Sequence, residues 1–219
     1  MNIQVVQDLI CPWCRIGRHN LETALAAWTA DKNVPVEMEW LPYQLDPLED
    51  GAPPEGFRER FLQRKGVAET QMNAMFERVT QAGAAVGLTF RFDRVTVAVD
   101  TLPGHVAIAA APVSKQPALV GALHTAYFEE GQDIGQTSVI LAAAEAAGLD
   151  DGERAAVREA LANPAAHAAQ RDIVRAVQQA GITSVPYFVF GGKLAVAGGQ
   201  PAEVFVQALE QASEMVAVS

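Results

Sequence analysis

The chain contains two cysteines, and they lie three positions apart in the segment ICPWCRIGRHNLE at residues 10–22, as Cys11 and Cys14. Such a pair can form a redox centre, half of a metal site, or two inert core residues. A disulfide between them would close too small a loop to restrict the unfolded chain much. A chain of 219 residues with 50% hydrophobic composition can also build a core without a cross-link. The spacing therefore favours chemistry over structural support.

The proline after the first cysteine predicts the start of a helix. Proline is favoured in the first helical turn, so Pro12 places Cys11 at the helix N-terminus, beside unpaired N–H groups and the positive end of the helix dipole. Positions of this kind lower the pKa of a cysteine from about 8.5 to about 3.5–7.5. Cys14 follows one turn later on the same face, within reach of a mixed disulfide formed at Cys11. We predict that Cys11 is the exposed nucleophile and Cys14 the buried resolving thiol.

Charged residues around the pair leave alternatives open. Arg15 and Arg18 each follow a cysteine by four positions, so they either favour its thiolate or are solvated surface residues. Asp8 precedes Cys11 by three positions. It either tunes the thiols and relays their protons, or forms a local turn or cap.

The rest of the sequence disfavours a metal or an organic cofactor. A third cysteine is absent, and the four histidines contain no H-x₃₋₅-H pair, so the usual zinc ligand sets are incomplete. Haem attachment needs a histidine directly after the second cysteine, where Arg15 stands. No GxGxxG loop follows a strand, so we expect no nicotinamide or flavin, and the dithiol itself is the redox centre. Glutathione remains open as a reductant or co-substrate.

Net charge limits which partners are expected, and the N-terminal residues indicate the cellular compartment. The formal charge is −10, with scattered basic residues, and this makes nucleic acid and anionic membranes poor partners. The N-terminus lacks the pattern of a secretory signal, and apolar runs are too short to span a membrane. We therefore predict a cytoplasmic protein, in which a close cysteine pair is more often catalytic or metal-binding than structural.

Hydrophobic periodicity predicts strand, helix, strand, a long helical segment, then a hairpin and a helix. Strands are predicted at residues 2–10 and 34–41, with the helix of the cysteine pair between them. YFVF and KLAVA flank Gly191-Gly192, which is typical of a two-residue hairpin turn, and a last helix begins at Pro201. The helices predicted in the long middle segment are 56–65, 68–83, 101–111, 116–130, 137–147, 151–162 and 165–180.

Three segments carry a family resemblance. CPWCRIG, AYFEEGQDIGQTSVILAAAEAAGL at 126–149 and AGITSVPYFVFGGKLAVAGGQ at 180–200 resemble, in this order, the DsbA branch of the thioredoxin superfamily. Within it the chain is similar to FrnE-like proteins, which are related to 2-hydroxychromene-2-carboxylate isomerases and kappa-class glutathione transferases. The resemblance implies an α/β, thioredoxin-like fold (βαβ…ββα) with a large inserted helical domain. We expect residues 1–50 and 165–219 to form the thioredoxin-like domain and residues 51–164 the helical one.

The same resemblance assigns roles to further residues. It implies a cis peptide at Val185-Pro186 opposite the CPWC motif, where Pro12 and Trp13 flank the substrate and the Val185 backbone pairs with it. His105, in VDTLPGHVAI, falls where related proteins carry an Asn-x₃-Ala-His motif, although Asp100, Gly104 and Val106 depart from it. His105 therefore either lines a cleft or serves only its helix. A stripe of Met72, Met75 and Phe76 fits a core face better than a peptide groove.

The sequence thus predicts a thiol-disulfide oxidoreductase that acts on a thiol- or disulfide-containing protein or small molecule. An external redox partner is required, since the additional C-terminal cysteine motif of some FrnE-like proteins is missing. One alternative is a glutathione-dependent isomerase or transferase on small aromatic substrates, although such relatives usually have serine where Cys11 stands. The other is a peptide-binding or chaperone module in which the cysteines are incidental.

Overall fold

Four short strands form one mixed sheet in the described part of the chain, which comprises residues 1–32, 35–48 and 55–217 of a computed structural model. The strands are β1 (Asn2–Gln7), β2 (Glu37–Pro42), β3 (Tyr187–Phe190) and β4 (Leu194–Ala197). Their order is β2-β1-β3-β4; β1 pairs with β2 in parallel and with β3 antiparallel, and β3 and β4 are antiparallel. Because β1 is a central strand, the residues after Gln7 leave from the middle of the sheet.

Helices make up most of the remaining described residues. α1 (Pro12–Lys32) connects β1 to β2, and α9 (Ala202–Ala217) follows β4. The helices between β2 and β3 are α2 (Phe57–Lys65), α3 (Glu69–Ala84), α4 (Leu102–Ala110), α5 (Gln116–Phe128), α6 (Thr137–Ala146), α7 (Asp151–Ala162) and α8 (Pro164–Gln179). The predicted α/β fold with a helical insertion is confirmed, and each predicted helix end in the insertion lies within two residues of the observed one.

The chain divides into two units whose limits differ from the predicted domains. The first comprises Met1–Tyr43 and Asp172–Ser219, and the second comprises Gln44–Arg171. Each boundary lies seven residues from its predicted place. The predicted boundary at residues 50 and 51 lies outside the described residues, as does Val34 at the predicted start of the second strand. The predicted boundary at residues 164 and 165 lies at the start of α8, whereas the observed boundary lies inside that helix.

The core of the first unit lies between the sheet, α1 and α9. Alternate residues of β1 and β3 point into it, as expected for strands that bury one face. Phe188 and Phe205 meet edge to face with ring centroids 4.8 Å apart. Its fully or nearly fully buried members are Ile3, Val5, Leu21, Ala24, Trp28, Phe188, Phe190, Phe205, Ala208, Leu209 and Ala212. This cluster fixes α1 against the central strand that precedes it.

Stacked phenylalanines form part of the core of the second unit. Phe76 stacks on Phe92 at 4.3 Å between ring centroids, and Phe92 in turn packs against Phe90 and Phe128. Met72 is fully buried, whereas Met75 is 42% exposed. The predicted core face of α3 therefore includes Met72 and excludes Met75.

The hairpin turn between β3 and β4 is longer than predicted. Phe190 pairs with Leu194, so the loop has three residues, 191–193, and not two. Both glycines adopt left-handed backbone conformations, with φ of 57° at Gly191 and 69° at Gly192. Glycine adopts this conformation without steric cost, which explains the Gly-Gly pair. Because two left-handed residues fit a three-residue loop as well as a two-residue one, the pair does not determine the loop length.

The first turns of α1 approach two loops of the same unit very closely. A Cβ on Gly17 would lie 3.1 Å from both Pro186 Cγ and Phe188 Cζ. A Cβ on Gly199 would lie 3.0 Å from the carbonyl oxygen of Trp13 and 3.4 Å from the Gly17 nitrogen. The absence of a side chain at these two positions therefore lets the helix backbone rest against the loop that follows β4.

We expect Gly199→Ala to lower the free energy of unfolding by about 1–3 kcal/mol, because the new methyl group must push against the backbone of α1. Urea denaturation followed by circular dichroism measures this loss. Gly152→Ala is the matched control, since Gly152 is exposed in α7 and its Cβ would meet only a carboxylate oxygen at 3.4 Å. Equal stabilities for the two variants would contradict the close approach.

Candidate functional site

A tight turn places Cys11 at the start of α1. The turn runs from Asp8 to Cys11 and is closed by the Cys11 N–H, which donates to the Asp8 carbonyl oxygen at 3.1 Å. The carbonyl oxygen of Cys11 then accepts from the N–H groups of Cys14 and Arg15, at 3.0 and 3.3 Å. Cys11 thus immediately precedes the first helical residue, Pro12, where the sequence predicts it.

Both cysteines are free thiols, and both are buried. The exposed fraction is 4% for Cys11 and 1% for Cys14, so the prediction that Cys11 is exposed is wrong for this conformation. The Cys11 Sγ lies under the loop before β3 and donates to the Val185 carbonyl oxygen at 3.7 Å. A second hydrogen bond joins the thiols of Cys14 and Cys11. Trp13, between the two cysteines, is 36% exposed and is the accessible side chain of the motif.

The loop before β3 covers the cysteine pair. The Val185-Pro186 peptide is cis, in agreement with the resemblance. Pro186 is buried and Val185 is half-buried, whereas Thr183 and Ser184 are exposed. The Pro186 carbonyl oxygen accepts from the Gly198 N–H at 2.8 Å, so this loop and the loop after β4 are held together.

Four residues that sequence reasoning missed fasten α1 to these loops. Besides the contacts of Gly17 and Gly199, the Asn20 side chain donates from Nδ2 to the Gln200 carbonyl oxygen at 2.8 Å. Gln200 Nε2 in turn donates to the Ala197 carbonyl oxygen at 2.9 Å. The signals were available: a glycine inside the helix three residues after Cys14, and a Gly-Gly pair directly after the last strand.

The surroundings of Cys14 oppose its ionisation. Burial is the largest cause that raises its pKa well above the ordinary value, and the hydrogen bond to Cys11 and the charge of Cys11 add to it. The backbone N–H of Asp8 donates to the Cys14 sulfur and lowers the pKa, while the Asp8 carboxylate raises it by repulsion. A buried thiol with this balance stays protonated until a proton acceptor or a reaction partner changes its environment.

Asp8 contacts this thiol from the turn at the end of β1. Asp8 is fully buried, with 0% of its surface exposed. It contributes a backbone acceptor to the turn, a backbone donor to Cys14 and a carboxylate close enough to repel negative charge on Cys14. The predicted turn therefore forms at this residue, and the predicted role of Asp8 in tuning the thiols or relaying their protons stays a prediction.

The two arginines after the motif lie largely inside the molecule. Arg15 is only 4% exposed, so the alternative of a solvated surface residue is wrong for it. Arg18 forms an ion pair with Glu22 one turn along α1. Burial lowers the pKa of Arg18, the Glu22 charge raises it, and repulsion from Arg15 lowers it again. Two cationic side chains thus lie close together directly behind the cysteine motif.

His105 lies in the second unit, on α4. It is 4% exposed, among the buried neighbours Val106, Ala107 and Ile108. Asp100 precedes this helix, and its Oδ1 accepts from the Leu102 N–H and from Gln44 Nε2, each at 3.0 Å. Both alternatives for His105, a cleft residue and a residue that serves only its helix, stay predictions.

Neither a cluster of metal-ligating side chains nor a membrane-spanning helix occurs in the described residues. No group of three or more His, Cys, Asp or Glu side chains there has a geometry that could hold a metal ion. None of the helices in the described ranges is both long and apolar enough to cross a membrane.

Comparison with solved structures places this site among known proteins. A probable DsbA oxidoreductase, SCO1869 from Streptomyces coelicolor, is 32% identical, with a TM-score of 0.83 over 98% of this chain and 90% of that one. Cytosolic disulfide reductase DsbM from Pseudomonas aeruginosa with GSH is 21% identical, with a TM-score of 0.67 over 96% and 98%. A 2-hydroxychromene-2-carboxylate isomerase is 13% identical, with a TM-score of 0.69 over 99% and 98%.

The DsbM and isomerase structures share the fold with this chain. The DsbA-like thioredoxin domain model matches residues 2–210, which include both cysteines, the Val185-Pro186 peptide and the whole helical insertion. This match confirms the DsbA branch of the resemblance, and the FrnE-like subgroup stays a prediction. The chain belongs to the DsbA-like thioredoxin-domain family of oxidoreductases.

Proposed function

We propose that this protein catalyses thiol-disulfide exchange, with Cys11 as the nucleophile and Cys14 as the resolving thiol. The observation that carries the proposal is the pair of hydrogen-bonded free thiols at the N-terminus of α1. Cys11 immediately precedes the first residue of α1, and Cys14 lies one turn along the helix, where burial raises its pKa well above the ordinary value. The two thiols are thus in different environments and suited to different steps.

The reaction balances with these two residues alone. The Cys11 thiolate attacks a substrate disulfide, forms a mixed disulfide and releases the first substrate thiol. Cys14 then loses its proton and attacks the Cys11 sulfur, which forms the Cys11–Cys14 disulfide and releases the second thiol. The substrate gains two electrons, and the dithiol loses them. In the opposite direction, the disulfide form oxidises a substrate dithiol by the same steps.

Substrate contacts are proposed for the residues around Cys11. Trp13 offers an exposed aromatic face beside the buried sulfurs, and Pro12 next to it is half-buried. The half-buried Val185 supplies backbone close to the Cys11 Sγ, and the exposed Ser184 precedes it. An extended peptide that pairs with the backbone at Val185 would bring its disulfide to Cys11.

The proposed physiological setting is the cytoplasm, with glutathione as a possible reductant of the Cys11–Cys14 disulfide. The similarity in fold to a cytosolic disulfide reductase with GSH supports this choice. An external partner must return the pair to its starting state, because the chain contains no further cysteine.

Redox equilibration tests the proposal directly. In glutathione buffers, with trapped thiols counted by mass, the protein should show one two-electron transition within roughly −270 to −120 mV, the range between thioredoxin and DsbA. Cys11→Ser should abolish reduction of insulin, because the raised pKa of Cys14 makes that thiol a poor replacement nucleophile. Cys14→Ser is the matched variant: it should still attack and accumulate a mixed disulfide that mass spectrometry detects.

Failure to form an internal disulfide at any glutathione potential would contradict the proposal, as would full activity of Cys11→Ser. Glutathione-dependent turnover of a small aromatic substrate by that variant would then favour an isomerase or transferase. Suppression of aggregation that is unaffected by Cys11→Ser would favour a chaperone module.

We further propose that Asp8 tunes the resolving thiol. Asp8→Asn keeps the backbone N–H that donates to Cys14 but removes the repelling carboxylate charge. The pKa of Cys14 should therefore fall in this variant. The ¹³Cβ chemical shift of Cys14, followed against pH in the reduced protein, measures it. Asp172→Asn, at an exposed carboxylate of α8, is the control and should leave the pKa unchanged. An unchanged or raised pKa in Asp8→Asn would contradict the role.

A further inference from the structure

Gln7, the last residue of β1, has a buried side-chain amide without a hydrogen-bond partner in the described protein. The residue is 1% exposed, and neither Oε1 nor Nε2 is within hydrogen-bond distance of a suitable group. An unsatisfied buried polar group is destabilising, so such groups are nearly always hydrogen-bonded. The two ends of this amide are therefore available to bind a small polar molecule such as water.

The register of the sheet places this amide beneath the cysteine motif. β1 and β3 pair so that Val6 lies opposite Tyr187, and one further step along both strands brings Gln7 opposite Pro186. Residues directly opposite each other share a face of the sheet. The Pro186 ring faces α1, because a Cβ on Gly17 would lie 3.1 Å from its Cγ. The Gln7 side chain therefore points toward the first turns of α1.

The alternation of side chains between the two faces of β1 predicts the same orientation for Gln7. Ile3 and Val5 point into the core that α1 covers, and Gln7 continues that row by two residues. Since α1 runs back along β1 from the turn at Asp8, its first residues lie over the end of the strand. Cys14 precedes Gly17 by one helical turn, and the next residue of the chain after Gln7, Asp8, donates to the Cys14 sulfur.

We propose that Gln7 is a positioning residue for the resolution step: its amide holds one buried water that receives the proton of Cys14. This inference rests on the proposed function. An amide suits the task because its N–H₂ donates and its carbonyl accepts, so it can orient a water in both hydrogen-bonding senses. Buried waters typically make about three hydrogen bonds, and the two ends of the amide together with the Cys14 thiol supply that number.

Resolution moves one proton and one electron pair. Cys14 S–H transfers its proton to the held water, which passes a proton on to the solvent. The Cys14 sulfur forms a bond to the Cys11 sulfur of the mixed disulfide, and the bond from Cys11 to the substrate sulfur breaks. The substrate leaves with the electron pair as a thiolate. No further oxidant or reductant is involved.

The experiment uses the reduced full chain and 5,5′-dithiobis(2-nitrobenzoate) in a stopped-flow instrument. The first equivalent of thionitrobenzoate reports attack by Cys11, at a rate proportional to reagent concentration. The second reports resolution by Cys14, at a rate independent of it. Gln7→Met removes the amide at similar volume. It should slow the second phase at least about tenfold and leave the first within about twofold, since proton-transfer partners contribute factors of this size or larger.

Gln4→Met is the matched control, because Gln4 lies in the same strand on the opposite face and its Nε2 donates to Glu39 at 2.9 Å. It should leave both phases unchanged. An unchanged second phase in Gln7→Met, or equal slowing of both phases, would overturn the inference. If wild type releases only one equivalent, the proposed function fails first, and that outcome is separate from any effect of Gln7.

A measurement on wild type covers the case in which Gln7→Met does not fold. Rotating-frame Overhauser spectra of the ¹⁵N-labelled, reduced protein should show contacts between the Gln7 side-chain N–H₂ and a long-lived water. The Gln4 side-chain amide should show only exchange with bulk water. Absence of a bound-water contact at Gln7 would overturn the inference independently of the kinetics.

Discussion

The functional site depends on one close approach, between the backbone of α1 and the loops before β3 and after β4. Gly17 and Gly199 lack side chains, and this allows contacts that a Cβ would prevent at about 3 Å. Asn20 then fastens the same face of the helix to the Gln200 carbonyl. The position of the two cysteines relative to Val185 is therefore set by residues outside the CPWC motif. The motif supplies reactive groups, and these contacts fix the environment in which they react.

This packing makes the two chemically identical thiols unequal. Cys11 lies at the helix N-terminus against the Val185 carbonyl oxygen, whereas Cys14 lies one turn along the helix, against Asp8. Burial and negative neighbours keep Cys14 protonated. In the proposed exchange, a mixed disulfide at Cys11 is neutral, and its formation would remove one of the causes that oppose ionisation of Cys14. The proposed order of the two steps would then follow from electrostatics that change during the reaction itself.

Local signals in the sequence predict local structure well. Glycine, proline and hydrophobic periodicity place the helices of the insertion within two residues, and Pro12 places the start of α1. Features that depend on distant parts of the chain are predicted poorly. The burial of Cys11 results from Val185, which is 174 residues away in sequence, and the burial of Arg15 likewise depends on the tertiary fold. The boundary between the two units lies inside α8, where the helical sequence pattern is continuous, so the sequence gives no sign of it.

The pattern also fails at the end of β1. An apolar run predicts the strand as far as residue 10, yet the strand ends at Gln7, and both Gln7 and the next residue, Asp8, are polar and buried. Burying such groups opposes stability unless they are satisfied, so a sequence selected for stability alone would continue the row of Ile3 and Val5 with another apolar residue. Places where local preference is violated in a well-packed core tend to be functional. Here the violation lies next to the turn that leads into the cysteine motif, and in the proposed exchange this is where the buried Cys14 must lose its proton.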